Sequence, residues 1–525
     1  MLFNSYAFIL AFLPVVLIVF FLIGSSGRRE AAIVWLVAAS LFFYGWWNPV
    51  YLGLLCGSLT VNFWLGRKVV PGTRYPGQRK AWLIAGLLLN LGLLAYYKYA
   101  NFFVDSVSKA AGLEWSIDTI VLPLAISFYT FQKIAYLIDS YRGETRDHRF
   151  SHYCLFVTFF PQLIAGPIVH HKEVLPQFAQ PGFFRFDHLN LAIGMTLFSI
   201  GLFKKVVLGD SMALYASPAF ATAATGVHLS FFEAWFGTLA YTLQLYFDFS
   251  GYSDMASGLA LMFGIRLPVN FHSPYKAVNI IDFWRRWHIT LSRLLRDYLY
   301  VPLGGNRRGP WRRHVNLMVT MLLGGLWHGA GWTFVLWGAL HGAYLVINHR
   351  WHALLRRCGV APGVGGWPVR GAARLLTFLA VVVAWVPFRA TSIDTALSML
   401  SSMAGLNGIG LPSGLAALVQ SRMPWATEAF GLNFDGTFPN GLAFRADGLP
   451  WIGLLLIIVC VAPNSNQLLR RHQPVLLPDH LSLDSGAPGF PVWRPGLASV
   501  LITAIALVWS LTWMTNVSEF LYFQF

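Results

Sequence analysis

Apolar runs long enough to cross a lipid bilayer recur from one end of this sequence to the other. That feature decides which solvent the chain folds in. Crossing roughly 30 Å of hydrocarbon takes about 17–25 apolar residues in a helix. The segment has to be helical, because lipid offers no partner to a free backbone N–H or C=O. Candidate crossings fall at 7–24, 31–47, 50–66, 82–98, 119–138, 189–209, 230–247, 374–389, 451–462 and 497–515, with shorter or broken ones at 153–168 and 252–265. The stretch 316–347 exceeds one span and is interrupted by Gly324, Gly325, Gly329 and Gly331. It predicts two helical pieces, or one span with a bent end lining a cavity. The expected fold class is an all-α polytopic membrane protein with about 11 to 13 membrane helices, counting broken and re-entrant ones. Residues 1–525 are expected to form a single membrane-embedded domain.

Composition agrees. Only 11% of the residues are charged, where a soluble domain carries about a quarter. Twenty-one Trp and 42 Phe suit the bilayer and its interfaces. The net charge of +16 would suggest nucleic acid in a soluble protein. Here the basic residues sit in short connections between apolar runs, which is the bias of cytoplasmic loops, so no nucleic-acid partner is expected. Arg28-Arg29, then Arg67-Lys68 with Arg74, Arg79 and Lys80, and later Arg142, Arg146 and Arg149 fall on one side, leaving the N-terminus outside. The start MLFNSYAFILAFLPVVLIVFFLIG lacks a basic leader and a small-residue cleavage site, and reads as an uncleaved first span. Cys56, Cys154, Cys358 and Cys460 are far apart and form no C-x-x-C pair, so neither a disulfide framework nor a zinc site is expected. The long connection 407–450 is polar in patches and is a candidate external cap.

Residues 266–316 carry ten of the 38 Lys and Arg residues, opposed only by Asp282 and Asp297. Trp284, Trp287, Leu291, Leu294 and Tyr298 recur at helical spacing, predicting an amphipathic helix over 282–299 at the cytoplasmic interface. Asn279 with Asp282 opens it like a capping box, and Pro302 with Gly304-Gly305 stops it. Anionic membrane lipids account for the arginines without any catalysis. A polyanionic cytosolic ligand held by Arg285, Arg286 and Arg293, beside Trp284, accounts for them equally. Histidine separates the two readings. His288 lies within WRRWH, and forty residues later His328 sits in the apolar, glycine-rich LLGGLWHGAGWTFVLWGALHG. An ionisable residue at membrane depth is costly, which makes it a functional candidate. A neutral imidazole also accepts a proton at cytosolic pH. For His341 the expectation is a plain hydrogen bond to a neighbouring helix. Asp248, Asp254 and Asn316 are supporting polar residues in apolar surroundings, the two carboxylates more suited to pairing with a buried base than to catalysis. No phosphate-binding glycine loop, G-x-S-x-G elbow or zinc-ligand cluster occurs.

At these residues the sequence resembles the membrane-bound O-acyltransferase family, in particular its bacterial alginate O-acetyltransferase branch. The matching pieces are QLYFDFSGYSDMASGLALMFGI (244–265), DFWRRWHITLSRLLRDYLYVPLGGNRRG (282–309) and NLMVTMLLGGLWHGAGWTFVLWGALHG (316–342). PLAISFYTFQKIAYLIDSYRG (123–143), FFPQLIAGPIVHH (159–171) and the closing EFLYFQF (519–525) fit the same pattern. The resemblance implies a ring of helices around a thinned centre, with a tunnel from the cytosol to a buried histidine. It implies His328 as general base on an acceptor hydroxyl, and His288 in the place of the second active-site residue. It further implies acetyl-CoA as acyl donor with no bound cofactor, the bacterial inner membrane, and a periplasmic acetyltransferase partner that decorates an exported polysaccharide such as alginate. Peptidoglycan or teichoic acid is the alternative acceptor, and a proton-coupled transporter is the alternative class.

Overall fold

The computed structural model describes residues 1–73, 76–145, 149–180, 182–360, 366–438, 448–484, 489–514 and 521. Nearly all regular structure is helical, apart from one parallel pair of two-residue strands, Ile409–Gly410 and Leu432–Asn433, within the 407–450 connection. Among the described residues, five helices combine the length and apolarity needed to cross a membrane: Ala7–Ser25, Pro49–Val69, Pro76–Ala111, His188–Ala224 and Trp367–Arg389. Gly448–Val461 and Leu497–Trp513 are shorter apolar helices. The chain is an all-α multi-pass membrane protein.

Two compact units emerge. The first comprises Met1–Phe203, Ser250–Asn270 and Pro463–Phe525, and the second Lys204–Phe249 and Phe271–Ala462. Lipid tails are as apolar as Leu, so close packing holds such helices together more than escape from solvent does. In the first unit that packing is aromatic. Phe8 meets Phe3 at 5.0 Å, Phe12 at 5.6 Å and Phe160 at 6.0 Å between ring centroids. Asn62 and Asn90, both buried, hydrogen-bond across two helices at 2.5 Å. Ser465 Oγ donates to Asp254 at 2.6 Å.

Three expected crossings take a different form. The run 119–138 yields a helix only over Ile126–Arg142, because Pro123 disfavours helix at the residue before it and entry is through left-handed Ala125 (φ 60°). The runs 230–247 and 252–265 are one continuous helix, Phe231–Met262. Its FDFSGYSD stretch looks like a break in sequence, yet the glycines serve helix contact. A Cβ on Gly258 would lie 2.5 Å from Gly194 O, and one on Gly201 would lie 2.5 Å from Gly251 O. Backbone there rests directly on backbone, which only glycine allows. The 316–347 stretch does divide, into Gly309–His328 and Trp332–Arg357.

Candidate active site

His328 is the last residue of its helix. Gly329 and Gly331 then run extended, and the chain reverses into Trp332–Arg357. The two helices lie unusually close, because a Cβ at Gly338 would sit 2.4 Å from Met321 O and one at Gly325 would sit 2.2 Å from Phe334 O. The hairpin therefore ends in a tight corner. His328 fills it, 5% exposed, among Trp327 at 4.9 Å, Trp337 at 5.0 Å and Phe388 at 5.1 Å between centroids, all edge to face.

His288 reaches the same place by another route. The single helix expected over 282–299 is absent. Asn279 caps a short helix, Ile280–Trp284, by accepting the Asp282 N–H at 2.9 Å. The chain then breaks at Arg285–His288 and resumes as Ile289–Leu295, followed by a π-helical turn at Arg296–Tyr300. His288 itself takes left-handed φ 43° and ψ 53°, an unfavourable conformation for a side-chain-bearing residue outside Asn and Asp. Such strain persists only where the surroundings impose it, and it clusters at functional sites. Here the break turns the imidazole inward, fully buried against Phe249 at 4.8 Å, with the His328 ring 6.5 Å away. Burial holds the His288 imidazole, which lies between the spanning helices, well below its usual pKa at about 3. The ring is neutral.

The arginines divide by location. Arg285 is exposed, and Arg286 ties its Nε to Asp282 at 2.7 Å while donating to His272 O at 3.4 Å. Arg293 is half-buried on Ile289–Leu295. Trp284 packs its ring on Trp337 at 5.8 Å. Asn316 donates to Gly305 O at 2.9 Å, bracing the loop before its own helix. Asp248 is buried and paired with Lys205 at 2.8 Å, a lysine that also meets Asp210 at 2.6 Å. Asp254, on the same helix as Asp248, belongs to the first unit, where it accepts a hydrogen bond from Ser465.

Comparison with known proteins identifies the family. A model of the membrane-bound O-acyltransferase family matches residues 140–386. The chain is 45% identical over 500 residues to a peptidoglycan O-acetyltransferase of Helicobacter pylori, covering 90% of this chain and 91% of that protein. It is 44% identical over 415 residues to a probable alginate O-acetylase AlgI of Pseudomonas aeruginosa, covering 77% and 75%. A teichoic acid D-alanyltransferase of Streptococcus thermophilus is 29% identical over 238 residues, 43% of this chain and 57% of that protein. The chain belongs to the membrane-bound O-acyltransferase family. It is an O-acyltransferase.

Within this acyltransferase, several polar residues had no flag in the sequence. Lys205 is one, hidden in an apolar run beside its partner carboxylates. Asp139, His170 and His171 are others, and their ligand-type atoms lie within 4.8 Å of one another in the first unit. His170 Nε2 meets Asp139 Oδ2 at 2.6 Å, its Nδ1 accepts the Lys172 N–H at 3.3 Å, and Glu173 returns to the His170 N–H at 3.0 Å. This is a helix cap locked to the end of Ile126–Arg142. The paired histidines of GPIVHH were the available signal. Of the closing EFLYFQF, only Leu521 is among the described residues.

Proposed function

We propose that this acyltransferase takes an acetyl group from acetyl-CoA on the cytosolic side of the bacterial inner membrane and passes it toward a hydroxyl of an exported or envelope glycan, with His328 as general base. The observation that carries the reading is the meeting of two buried histidines, 6.5 Å apart, at the corner of a glycine-packed hairpin. An imidazole nitrogen of His328 removes the acceptor O–H proton. The oxygen attacks the thioester carbonyl, the C–S bond breaks, and the thiolate leaves with that proton. General-base help of this kind is worth about 10²–10⁴-fold. Holding donor and acceptor together in a site lined by aromatic rings supplies a further part. His288, fixed by the kink beside His328, is placed to help orient either substrate.

The sequence pattern favours an alginate-like exported polysaccharide and a periplasmic partner that completes the transfer. A peptidoglycan acceptor is favoured by a different observation. The match to the Helicobacter pylori peptidoglycan enzyme runs over 500 residues, where that to the Pseudomonas aeruginosa alginate protein runs over 415. Acetyl content of both polymers in cells with and without the protein decides between them. The catalytic reading itself is tested by His328→Ala, expected to lower polymer acetylation by about 10² or more while the protein stays inserted and folded. Retained acetylation overturns it. Proton flux into liposomes without thioester consumption would place the chain in the transporter class instead.

A further inference from the structure

The end of the hairpin away from His328 gathers positive charge. Arg313 and His314 lie in the first turns of the helix Gly309–His328, and His349, Arg350, His352 and Arg356 lie in the last turns of Trp332–Arg357. Neither stretch, 305–316 nor 346–358, contains an Asp or Glu. Toward this end the two helices meet closely, a Cβ on Gly342 falling 2.7 Å from Met318 Sδ. His349 stands in the field of Arg313 and His314 across the hairpin and of His352 and Arg356 on its own helix, and His314 in that of Arg313 and Arg350. Burial, then these charges, holds the His349 imidazole down at about 4. Among the described residues no carboxylate pairs with Arg313, Arg350 or Arg356. Arg313 Nε and His314 Nε2 are shut off from solvent with no hydrogen-bond partner there.

Like charges held this close repel, and a buried donor left unpaired is costly, most of all on a charged group. Both costs are explained by an anion that arrives from outside the chain. Guanidinium forks beside imidazole N–H donors match a phosphate, which accepts several hydrogen bonds at once. The surroundings say which phosphate. Trp311 and Trp351 flank the cluster, 75% and 55% exposed, and exposed Trp marks the level of lipid headgroups. Ile347, Trp351 and Leu354 are all exposed and recur at spacings that share one helix face. His349, His352 and Arg356 recur the same way on another face. The helix end is thus apolar on one side and basic on the other, which suits an amphiphile and gives a water-soluble anion nothing extra. Arg313 lies about 22 Å from His328 along their helix, so the cluster is separate from the catalytic corner.

We propose that the open end of this hairpin binds one anionic phospholipid, its phosphate held between Arg313 and His314 on one helix and Arg350 and Arg356 on the other, with Trp351 and Leu354 against its acyl chains. The headgroup cancels the repulsion between the two helix ends and clamps the hairpin whose far end carries His328. The bias that puts short basic connections on the cytoplasmic side assigns the lipid to that leaflet. The site goes beyond acyl transfer and stands without it.

The test uses the full-length protein in a neutral detergent, stripped of lipid and titrated with phosphatidylglycerol or phosphatidylcholine. Native mass spectrometry counts the bound lipid, and the melting temperature reports stability. One phosphatidylglycerol per chain is expected to bind about ten-fold more tightly than phosphatidylcholine and to raise the melting temperature. Arg313→Gln and Arg350→Gln are each expected to weaken phosphatidylglycerol about ten-fold and to leave phosphatidylcholine unchanged. Arg350 is exposed, so its variant carries the test if Arg313→Gln fails to fold. In the lipid-free protein Arg350→Gln is expected to raise the melting temperature, because it relieves repulsion that no lipid is cancelling. Arg422→Gln, at an exposed position in the 407–450 connection, is expected to change neither affinity. Equal affinity for the two lipids, or undiminished phosphatidylglycerol binding in Arg350→Gln, overturns the proposal. Displacement of the lipid by inorganic phosphate or by coenzyme A overturns it too, by making the site one for a soluble phosphate.

Discussion

At the scale of single residues, His288 carries backbone strain at the proposed site. A left-handed residue other than glycine costs about 1–2 kcal/mol, and glycine removes that cost. Replacement by Ala removes the imidazole and keeps the strain, whereas replacement by Gly removes both. His288→Gly is therefore expected to unfold at a temperature equal to or above that of His288→Ala, with both variants strongly impaired in transfer. Thermal unfolding in detergent with a parallel acetylation assay checks this, and a clearly more stable Ala variant would show the backbone strain to be absent. The depressed pKa makes a second prediction. With a folded value near 3 against an unfolded value of about 6.5, the unfolded chain binds the proton more readily. The stability that goes with a neutral His288 is full above about pH 6.5 and is lost as pH falls toward 3. The pH–rate profile between 7 and 9 should be identical in wild type and in any active His288 variant, and a limb that vanishes with His288 would contradict this.

At the scale of elements, the hairpin of Gly309–His328 and Trp332–Arg357 makes the site, and glycine makes the hairpin. Its glycine interruptions are legible in sequence as a break. Their second role is not, because close contact between Gly325 and Phe334 O or between Gly338 and Met321 O needs both helices in place. Gly338→Ala is expected to push the helices apart and cost about 1–3 kcal/mol, with transfer reduced more than stability alone explains. Comparing melting temperature with activity at a temperature where the variant is fully folded checks the point. The basic segment teaches a related lesson. The 3.6-residue pattern of Trp284, Trp287, Leu291 and Leu294 points to one helix, yet the chain kinks at Arg285–His288, because burial of His288 outweighs the continuity of an exposed helix. For Arg285, exposed beside that kink, the expectation is a few-fold rise in KM for acetyl-CoA on replacement by Ala, shrinking at high salt because exposed charges are screened. An unchanged KM with weaker binding to anionic vesicles favours lipid headgroups as its partner.

At the scale of the whole molecule, the charge distribution sets orientation. Arg28, Arg29, Arg67, Lys68 and Arg142 are expected on the cytosolic side with the basic segment. In a background lacking Cys56, Cys154, Cys358 and Cys460, cysteines placed at Arg29 and Arg285 should react with an impermeant reagent in inverted vesicles and not in intact cells. Labelling from opposite sides would invert the proposed entry of the donor. The buried Lys205, held by Asp210 and Asp248, belongs to this scale too. Removing the lysine leaves the buried Asp248 uncompensated and costs about 3–5 kcal/mol, so Lys205→Ala should lower the amount of folded protein recovered from membranes, where Asp248→Ala, which leaves Lys205 paired with Asp210, should lower it less.

The sequence by itself determined the solvent, the helical class and the family, and it singled out His288 and His328 as candidates. Each of these follows from residue type and spacing along one segment: apolar runs for lipid, interrupted glycines for a turn, and ionisable residues where burial is costly. Only the tertiary structure decided which residues meet. His288 and His328 are forty positions apart, and nothing in their spacing shows that a left-handed kink brings one ring to 6.5 Å from the other. It also decided that Asp248 is paired with Lys205, that Asp254 serves Ser465, and that His341 sits among aromatic rings with no hydrogen bond to either ring nitrogen among the described residues. Pairing across long sequence separations depends on how helices pack, and packing depends on surfaces that no single segment carries.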